Sequence, residues 1–195
     1  MKKLSQQFLT VAAMAIFTTP LHAQGIYVGG SIGQAQAEEG CDDLDDLGFV
    51  GSCDDDDTAW KATVGYQFTP NWGVEAFYAD FGKAEINGAI SGVPVSTEAD
   101  LYGFGAAAVG TIPLTEQFSV FGKIGMLVDW DIDYSGSIGS PGTSFDFDED
   151  GSSDVMYGIG VDYSINEKIS IRAEYEYFDE IEVDFFSAGV TYKFY

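Results

Sequence analysis

The sequence predicts an all-β protein, an eight-stranded antiparallel up-and-down barrel that crosses a membrane with its strands. Three observations predict this fold. Apolar residues alternate with small or polar residues in eight separate segments, which is the pattern of strands that have two different faces. The connections between these segments alternate between short turns and long stretches. The chain also begins with the features of an export signal.

The first 23 residues predict a secretory signal peptide that is removed on export. Two lysines precede an apolar run over residues 8–17, and a small-residue cleavage motif ends at Ala23. This apolar run is too short to cross a bilayer as a helix. We therefore expect residues 24–195 to form the mature barrel domain.

The composition is strongly acidic and excludes several classes of function. The chain has 32 Asp and Glu against 8 Lys and Arg, and two of the lysines leave with the signal peptide, so the mature charge is 6 − 32 = −26. Such a polyanion repels nucleic acid. The one histidine, His22, is also removed. Since the mature chain then lacks imidazole, histidine-dependent catalysis and histidine–metal sites are excluded, and we expect no enzyme.

The eight predicted strands are joined by connections of two kinds. The strands run through residues 25–33, 60–68, 72–81, 102–108, 118–130, 155–163, 169–177 and 186–194. Tight turns are predicted at 69–71, 113–117 and 166–168, long loops at 34–58, 83–98 and 131–153, and a shorter loop at 179–182. Short turns on the periplasmic side and longer loops outside are typical of outer-membrane barrels.

The two faces of these strands indicate which one meets lipid, because a soluble barrel would place the apolar face inside. Aromatic residues lie near strand ends on the apolar face, as interfacial girdles require: Trp60, Phe68, Trp72, Tyr102, Phe118, Trp130, Tyr163, Tyr177 and Phe194. The other face is mostly small and carries balanced charges, namely Lys61, Lys123, Arg172 and Lys193 against Glu75, Asp162, Glu174 and Glu176. Unpaired charge is costly in a low-dielectric interior, so this balance predicts that the second face lines the lumen.

Several short motifs resemble a known family. The C-terminal segment 189–194, with Gly189, Tyr192 and Phe194, looks like the aromatic-ended last strand that the outer-membrane assembly machinery recognises. Together with the segments 158–163, 172–175 and 73–75, it makes residues 24–195 similar to the transmembrane domain of outer membrane protein A and its small relatives.

The resemblance implies a lumenal salt-bridge network that blocks a wide channel. The matching positions are Glu75, Lys123, Asp162, Arg172 and Glu174. One family lysine has no counterpart, because the fourth predicted strand offers Val109 there, and either Lys61 or Lys193 could replace it. The family's periplasmic peptidoglycan-binding domain is not expected here.

Two further features concern the acidic stretches. Cys41 and Cys53 predict one disulfide in the oxidising periplasm, with a two-thiol metal site as the alternative. Carboxylates alternate and then meet a glycine in the stretch 146–154, which is the opening of a calcium loop, with Asp146, Asp148, Asp150 and Asp154 as ligands. The motif lacks its closing glutamate, since position twelve is Tyr157, and a solvated acidic loop tip is the simpler interpretation.

The sequence thus predicts a protein of the cell outer membrane with a structural, envelope-integrity and surface-interaction role. We expect a monomer whose acidic loops share divalent cations with lipopolysaccharide or are simply hydrated, and whose partners are outer-membrane lipid and the assembly machinery. No cofactor is expected beyond the calcium ion considered above. The alternative is a narrow cation-preferring pore gated by the pairs of Arg172. A lipid A-modifying enzyme is a third and weaker hypothesis.

Overall fold

The computed structural model describes residues 25–37, 49–54, 56–90, 92–139, 142–151 and 153–194, so the predicted signal peptide lies outside the described residues. The described chain is all-β, and none of it forms a helix of the length and apolar character needed to cross a bilayer. The strands are β1 (Gly25–Ala37), β2 (Phe49–Asp54), β3 (Asp56–Gln67), β4 (Trp72–Ile90), β5 (Val93–Pro113), β6 (Phe118–Ile138), β7 (Thr143–Gly151), β8 (Asp154–Ser164), β9 (Ile169–Phe178) and β10 (Val183–Phe194).

Eight of these strands form a closed antiparallel ring, which confirms the predicted fold class. Each of β1, β3, β4, β5, β6, β8, β9 and β10 pairs with the next in this order, and β10 pairs back with β1. A closed ring leaves no strand edge, so the backbone N–H and C=O groups find partners within the protein, as lipid requires.

The strands of the ring differ greatly in length. β4, β5 and β6 have 19, 21 and 21 residues, whereas about 9–11 residues are enough to cross a membrane as a tilted strand. Their surplus forms long hairpins at one end of the barrel, and β2 and β7 pair with β4 and β6 there. We call this the hairpin end and the opposite one the turn end.

The long hairpins correct the prediction of loops at 83–98 and 131–153. Both stretches are mostly strand, and their alternation of residue types continues beyond the ring. The loop prediction is wrong there because the period-two pattern extends past the ring, through β4, β5, β6 and β7.

The three tight turns at the turn end share one hydrogen-bond pattern. In each, the side-chain oxygen of the first residue accepts hydrogen bonds from the backbone N–H groups two and three positions later. Thr69, Thr115 and Asn166 are these first residues, and the N–H of the third following residue lies 2.9 Å away in every case. Short polar side chains favour turns for this reason.

The two faces of the ring have the predicted orientation. Apolar side chains such as Phe104, Ile124 and Ile159 are 58–66% exposed on the outside. On the inside, Lys61 and Glu75 are only 2% and 3% exposed. A surface of this kind is suited to acyl chains, because lipid removes the cost that water would impose on the exposed apolar groups.

Glycines on the inner face make room for aromatic rings of neighbouring strands. A Cβ at Gly105 would lie 2.3 Å from the ring of Phe77, and one at Gly160 would lie 2.3 Å from the ring of Phe121. Each ring lies on the glycine directly opposite it in the register. These pairs cover the glycine backbone and fix the strand register.

Candidate functional site

The middle of the lumen is filled by a network of ion pairs. The Nζ atom of Lys123 lies 2.6 Å from a carboxylate oxygen of Glu75 and 2.7 Å from one of Glu174. Lys61 pairs with Glu174 and with Glu176. All five side chains are no more than 2% exposed, so the charges are compensated by each other rather than by solvent.

Arg172 joins this network on the side of the turn end. Its guanidinium binds both carboxylate oxygens of Asp162, at 3.0 and 3.1 Å, and donates to Glu75 at 2.6 Å. The guanidinium carbon lies 4.5 Å from the centroid of the Phe121 ring, and Tyr27 donates its hydroxyl proton to Glu75 at 2.8 Å. The planar fork of arginine suits such a bidentate and stacked position.

Toward the hairpin end the lumen is apolar. A cluster of buried side chains is packed there, including Phe178, Phe185, Leu127 and Met156, none of which is exposed. Phe81 packs edge-on against Phe178, with ring centroids 4.9 Å apart. This surface offers no hydrogen bonds to water, so the entry of water into the layer is unfavourable. The layer therefore separates the ion network from the hairpin end.

Above the apolar layer, the hairpin end opens into a chamber of about 470 Å³. Its wall is largely apolar, with Phe81, Trp130 and Val183 buried and Leu101 and Ile132 packed against them. Ionisable side chains also line it, namely Asp57, Lys83, Tyr134 and Glu180.

The outer face of the extended hairpins carries an acidic ladder across four strands. Lys83 on β4 is directly opposite Asp100 on β5, which is opposite Asp133 on β6, which is opposite Asp148 on β7. Lys83 pairs with Asp100 at 3.0 Å and also with Glu98. Like charges placed directly opposite each other repel, so this face favours cations in the surrounding solution.

Comparison with known proteins identifies the family. The sequence profile of the outer membrane protein beta-barrel domain matches residues 8–194, and the closed ring described above agrees with it. The chain belongs to this family. Membership places this barrel in the outer membrane.

Individual relatives agree with this assignment. Outer membrane protein A of Shigella flexneri is 28% identical over 186 residues, which cover 86% of this chain and 48% of that protein. The chain therefore spans about half the length of this relative. The resemblance to the transmembrane domain of outer membrane protein A is confirmed.

Solved barrels have the same fold at low identity. OprG from Pseudomonas aeruginosa has a TM-score of 0.59 at 17% identity, with 89% of this chain and 98% of that chain covered. The neisserial surface protein NspA has a TM-score of 0.53 at 20% identity, with 88% and 99% covered. Ail of Yersinia pestis, solved with the heparin analogue sucrose octasulfate, has a TM-score of 0.52 at 19% identity, with 87% and 99% covered. At these identities the likeness shows the fold alone.

Seven of the eight lumenal charges predicted for this barrel meet in the ion network. Val109, where the resemblance implies a lysine, is buried without a charge, and Lys61 supplies an ammonium group to the network from β3. Lys193 lies instead in a small polar chamber at the turn end, together with Asp162 and Arg172. Within the described residues it has no ion pair of 4.0 Å or less.

The apolar half of the lumen was not among the features predicted from the sequence. The inner face was expected to be mostly small residues, although strict alternation already places Phe77 and Phe121 inside. Phe178 and Phe185 lie just beyond the predicted segments, and Leu127 lies within the fifth, on its inner face. Their burial could have been found by continuing the period-two pattern toward the hairpins.

Trp130 corrects one predicted girdle position. It was expected on the lipid face but is only 9% exposed and belongs to the apolar cluster inside. Phe104 pairs with Asp129 and Gly105 with Leu127, so Val128 is an extra residue in β6. Such a β-bulge reverses the facing of the residues that follow it.

The predicted calcium ligands are placed in different surroundings. Asp146 and Asp148 are exposed on β7, whereas Asp154 is buried at the start of β8. Asp154 accepts hydrogen bonds from the backbone N–H groups of Glu180 and Ile181, at 2.7 and 3.3 Å. The described residues contain no group of three or more His, Cys, Asp or Glu side chains arranged to hold a metal. The side chain of Asp150 lies outside the described set, and calcium binding stays a prediction.

Two other predicted features are only partly within the described residues. Cys41 lies outside them, and of Cys53 only the backbone, in β2, is described, so the disulfide stays a prediction. The proposed assembly signal lies in β10, where Phe194 pairs with Ile26 and Tyr192 with Val28 of β1. The last strand thus closes the ring, and its recognition by the assembly machinery also stays a prediction.

Proposed function

We propose that this protein is a non-enzymatic barrel that supports envelope integrity and presents an acidic surface outside the cell, without conducting ions. The observation that carries the proposal is the filled lumen. The buried ion network and the apolar cluster lie one above the other across the ring. An ion crossing the lumen would have to break the pairs of Lys61 and Lys123 and then pass a buried apolar layer, which is costly.

The surface role rests on the extended hairpins. Longer connections of outer-membrane barrels lie outside the cell, so the acidic ladder with Asp100, Asp133 and Asp148 faces the outer leaflet and the medium. We propose that this face interacts with the phosphates of lipopolysaccharide through shared divalent cations. The barrel acts as a monomer that is exported by the 1–23 signal peptide and inserted by the assembly machinery.

The alternative function is a narrow pore, and one observation favours it. The polar chamber at the turn end, lined by Asp162, Arg172 and Lys193, reaches the ion network. Rearrangement of the Arg172 pairs could extend it, although the apolar layer would still block the hairpin end. A lipid A-modifying enzyme has less support, because His22 in the predicted signal peptide is the only histidine of the chain.

Planar-bilayer conductance distinguishes the filled barrel from the pore. The protein is purified to homogeneity and compared with a general porin in the same bilayer, which controls for the assay. We expect no conductance steps from this barrel. Steps that increase in number with its concentration, and change in size in an Arg172→Lys variant, would establish the pore instead.

The envelope role is tested in cells that lack the protein. Sensitivity to SDS and EDTA should rise on deletion and return to normal when the wild-type chain is restored. A variant with a neutralised ladder, carrying Asp100→Asn, Asp133→Asn and Asp148→Asn, should fold but restore resistance only in part. Lipid A masses should be the same in all strains. A deletion strain without any change in sensitivity would contradict the proposed role.

A further inference from the structure

The chamber at the hairpin end has the size and lining of a small-molecule site. Its volume of about 470 Å³ lies within the range of about 300–1,000 Å³ that is usual for ligand pockets. Aromatic and aliphatic side chains from four different strands converge there, namely Phe81, Leu101, Trp130 and Val183. Because their positions in the ring and its long hairpins are fixed by strand pairing, the chamber is formed before any ligand arrives.

The charges at the rim indicate which ligand the chamber would take. Asp57 and Glu180 line it directly, and the one lysine of the lining, Lys83, is already paired with Glu98 and Asp100. The lining therefore has two carboxylates against one ammonium group, and that ammonium group is already neutralised by its partners on the outer face of the same hairpins. An entrance of one sign with low-dielectric walls concentrates ligands of the opposite sign.

We propose that this chamber binds a cationic amphiphile from outside the cell. The apolar part of the ligand lies against Trp130, Leu101 and Ile132, and the positive group stays at the rim beside Asp57 and Glu180. The aromatic rings of the lining, among them that of Tyr134, favour a cation over a neutral polar group. An anionic amphiphile would fit the apolar wall equally well but would be repelled by the rim.

The acidic ladder on the outer face of the same hairpins also favours a cationic ligand. It lies behind the wall of the chamber, on the opposite side of the strands that carry Ala84, Ala99 and Tyr134. Its field adds to that of the rim and raises the local concentration of cations at the entrance. Both observations point to one class of ligand.

Trp130 provides a built-in reporter for the test. The chain has three tryptophans, and Trp60 and Trp72 lie on the outer face of the ring. In the full chain in lipid nanodiscs, Trp60→Phe and Trp72→Phe leave Trp130 as the only tryptophan. Octyltrimethylammonium is then titrated below its micellar concentration, with octyl sulfate as the anionic probe of equal chain length.

We expect a saturable change in Trp130 emission with octyltrimethylammonium and binding about tenfold weaker with octyl sulfate. Asp57→Asn combined with Glu180→Gln should remove most of this preference. Ala99→Phe, which fills the chamber, should abolish the saturable change, whereas Ala188→Phe on the lipid face should leave it intact. Ala84→Phe, opposite Ala99 in the register, replaces Ala99→Phe if that variant does not fold.

Three results would overturn the proposal. The first is a response that rises linearly with probe concentration, because that is partitioning into lipid. The second is equal binding of octyl sulfate. The third is a saturable response that persists in the folded Ala99→Phe or Ala84→Phe variant, since the probe would then bind elsewhere.

Discussion

Replacing Lys61 by methionine should destabilise the barrel strongly, because Lys61 compensates two buried carboxylates. The network contains Lys61, Lys123 and Arg172 against four carboxylates, so its charge is 3 − 4 = −1, and Lys61→Met makes it −2. The side chain is 1% exposed, and solvent cannot replace the lost ammonium group.

The size of the effect follows from what remains. Without Lys61, the nearest cation to Glu176 is Lys123, with 3.6 Å between their charged atoms, and the other partner of Glu174 is also Lys123. Removing one partner of a buried pair costs about 3–5 kcal/mol, a large share of the about 5–15 kcal/mol that stabilises a typical domain.

The assay is equilibrium urea unfolding in lipid vesicles, followed by tryptophan fluorescence and by gel mobility of unboiled samples. The double variant with Lys61→Met and Glu176→Gln restores the network charge to −1 and should recover most of the loss. Lys83→Met is the matched control. It also removes a lysine with two acidic partners, but this lysine is solvent-exposed, and exposed ion pairs contribute little to stability. The reasoning is refuted if Lys61→Met is as stable as the wild type, or if the double variant is no better than the single one.

Two further predictions concern positions outside the ion network. Asp154→Ala should lower the free energy of unfolding by about 1–3 kcal/mol, because two backbone donors of the 179–182 turn lose their acceptor. This loss of stability should be equal with and without calcium. A loss seen only with calcium would support an ion site instead. Gly105→Val should prevent the heat-modifiable folded band on gels, because a side chain there collides with the ring of Phe77. Gly30→Val is its control, since no atom lies within 4 Å of a Cβ at Gly30, and equal folding of both variants would contradict the proposed role of the glycine.

The strands of the ring could be predicted because lipid and lumen impose opposite chemistry on alternate residues. In β9, for example, Ile171 and Tyr175 face out while Arg172, Glu174 and Glu176 face in. A period of two is visible among neighbouring residues of one strand, so a single sequence is enough to recognise it.

Features that depend on register could not be read in the same way. Val128 adds one residue to β6 and turns Trp130 inward, and nothing in the local sequence marks this bulge. The pairing of Lys61 with Glu174 joins positions 113 residues apart, and it depends on the stagger of strands around the ring. The inward set of charges was therefore predictable, but their partners were not.

The function of the acidic stretches was the least predictable part. Carboxylates at alternate positions, such as Asp146 and Asp148, resemble both a calcium loop and the outer face of a strand. The structure favours the strand. Phe145, which has a polar residue on either side of it in the sequence, pairs with Gly136 of β6, so this stretch belongs to the sheet. Asp154 could not be assigned a structural role beforehand, since its hydrogen-bond donors lie 26 and 27 residues away.

The most direct test of the whole account is quenching of single tryptophans by brominated lipids in vesicles. Three variants each retain one of Trp60, Trp72 and Trp130, with phenylalanine at the other two positions. We expect bromine on the acyl chains to quench Trp60 and Trp72, which lie 44% and 58% exposed on the outer face, and to leave Trp130 nearly unchanged. Strong quenching of Trp130 together with weak quenching of Trp60 and Trp72 would mean that the strands face the other way.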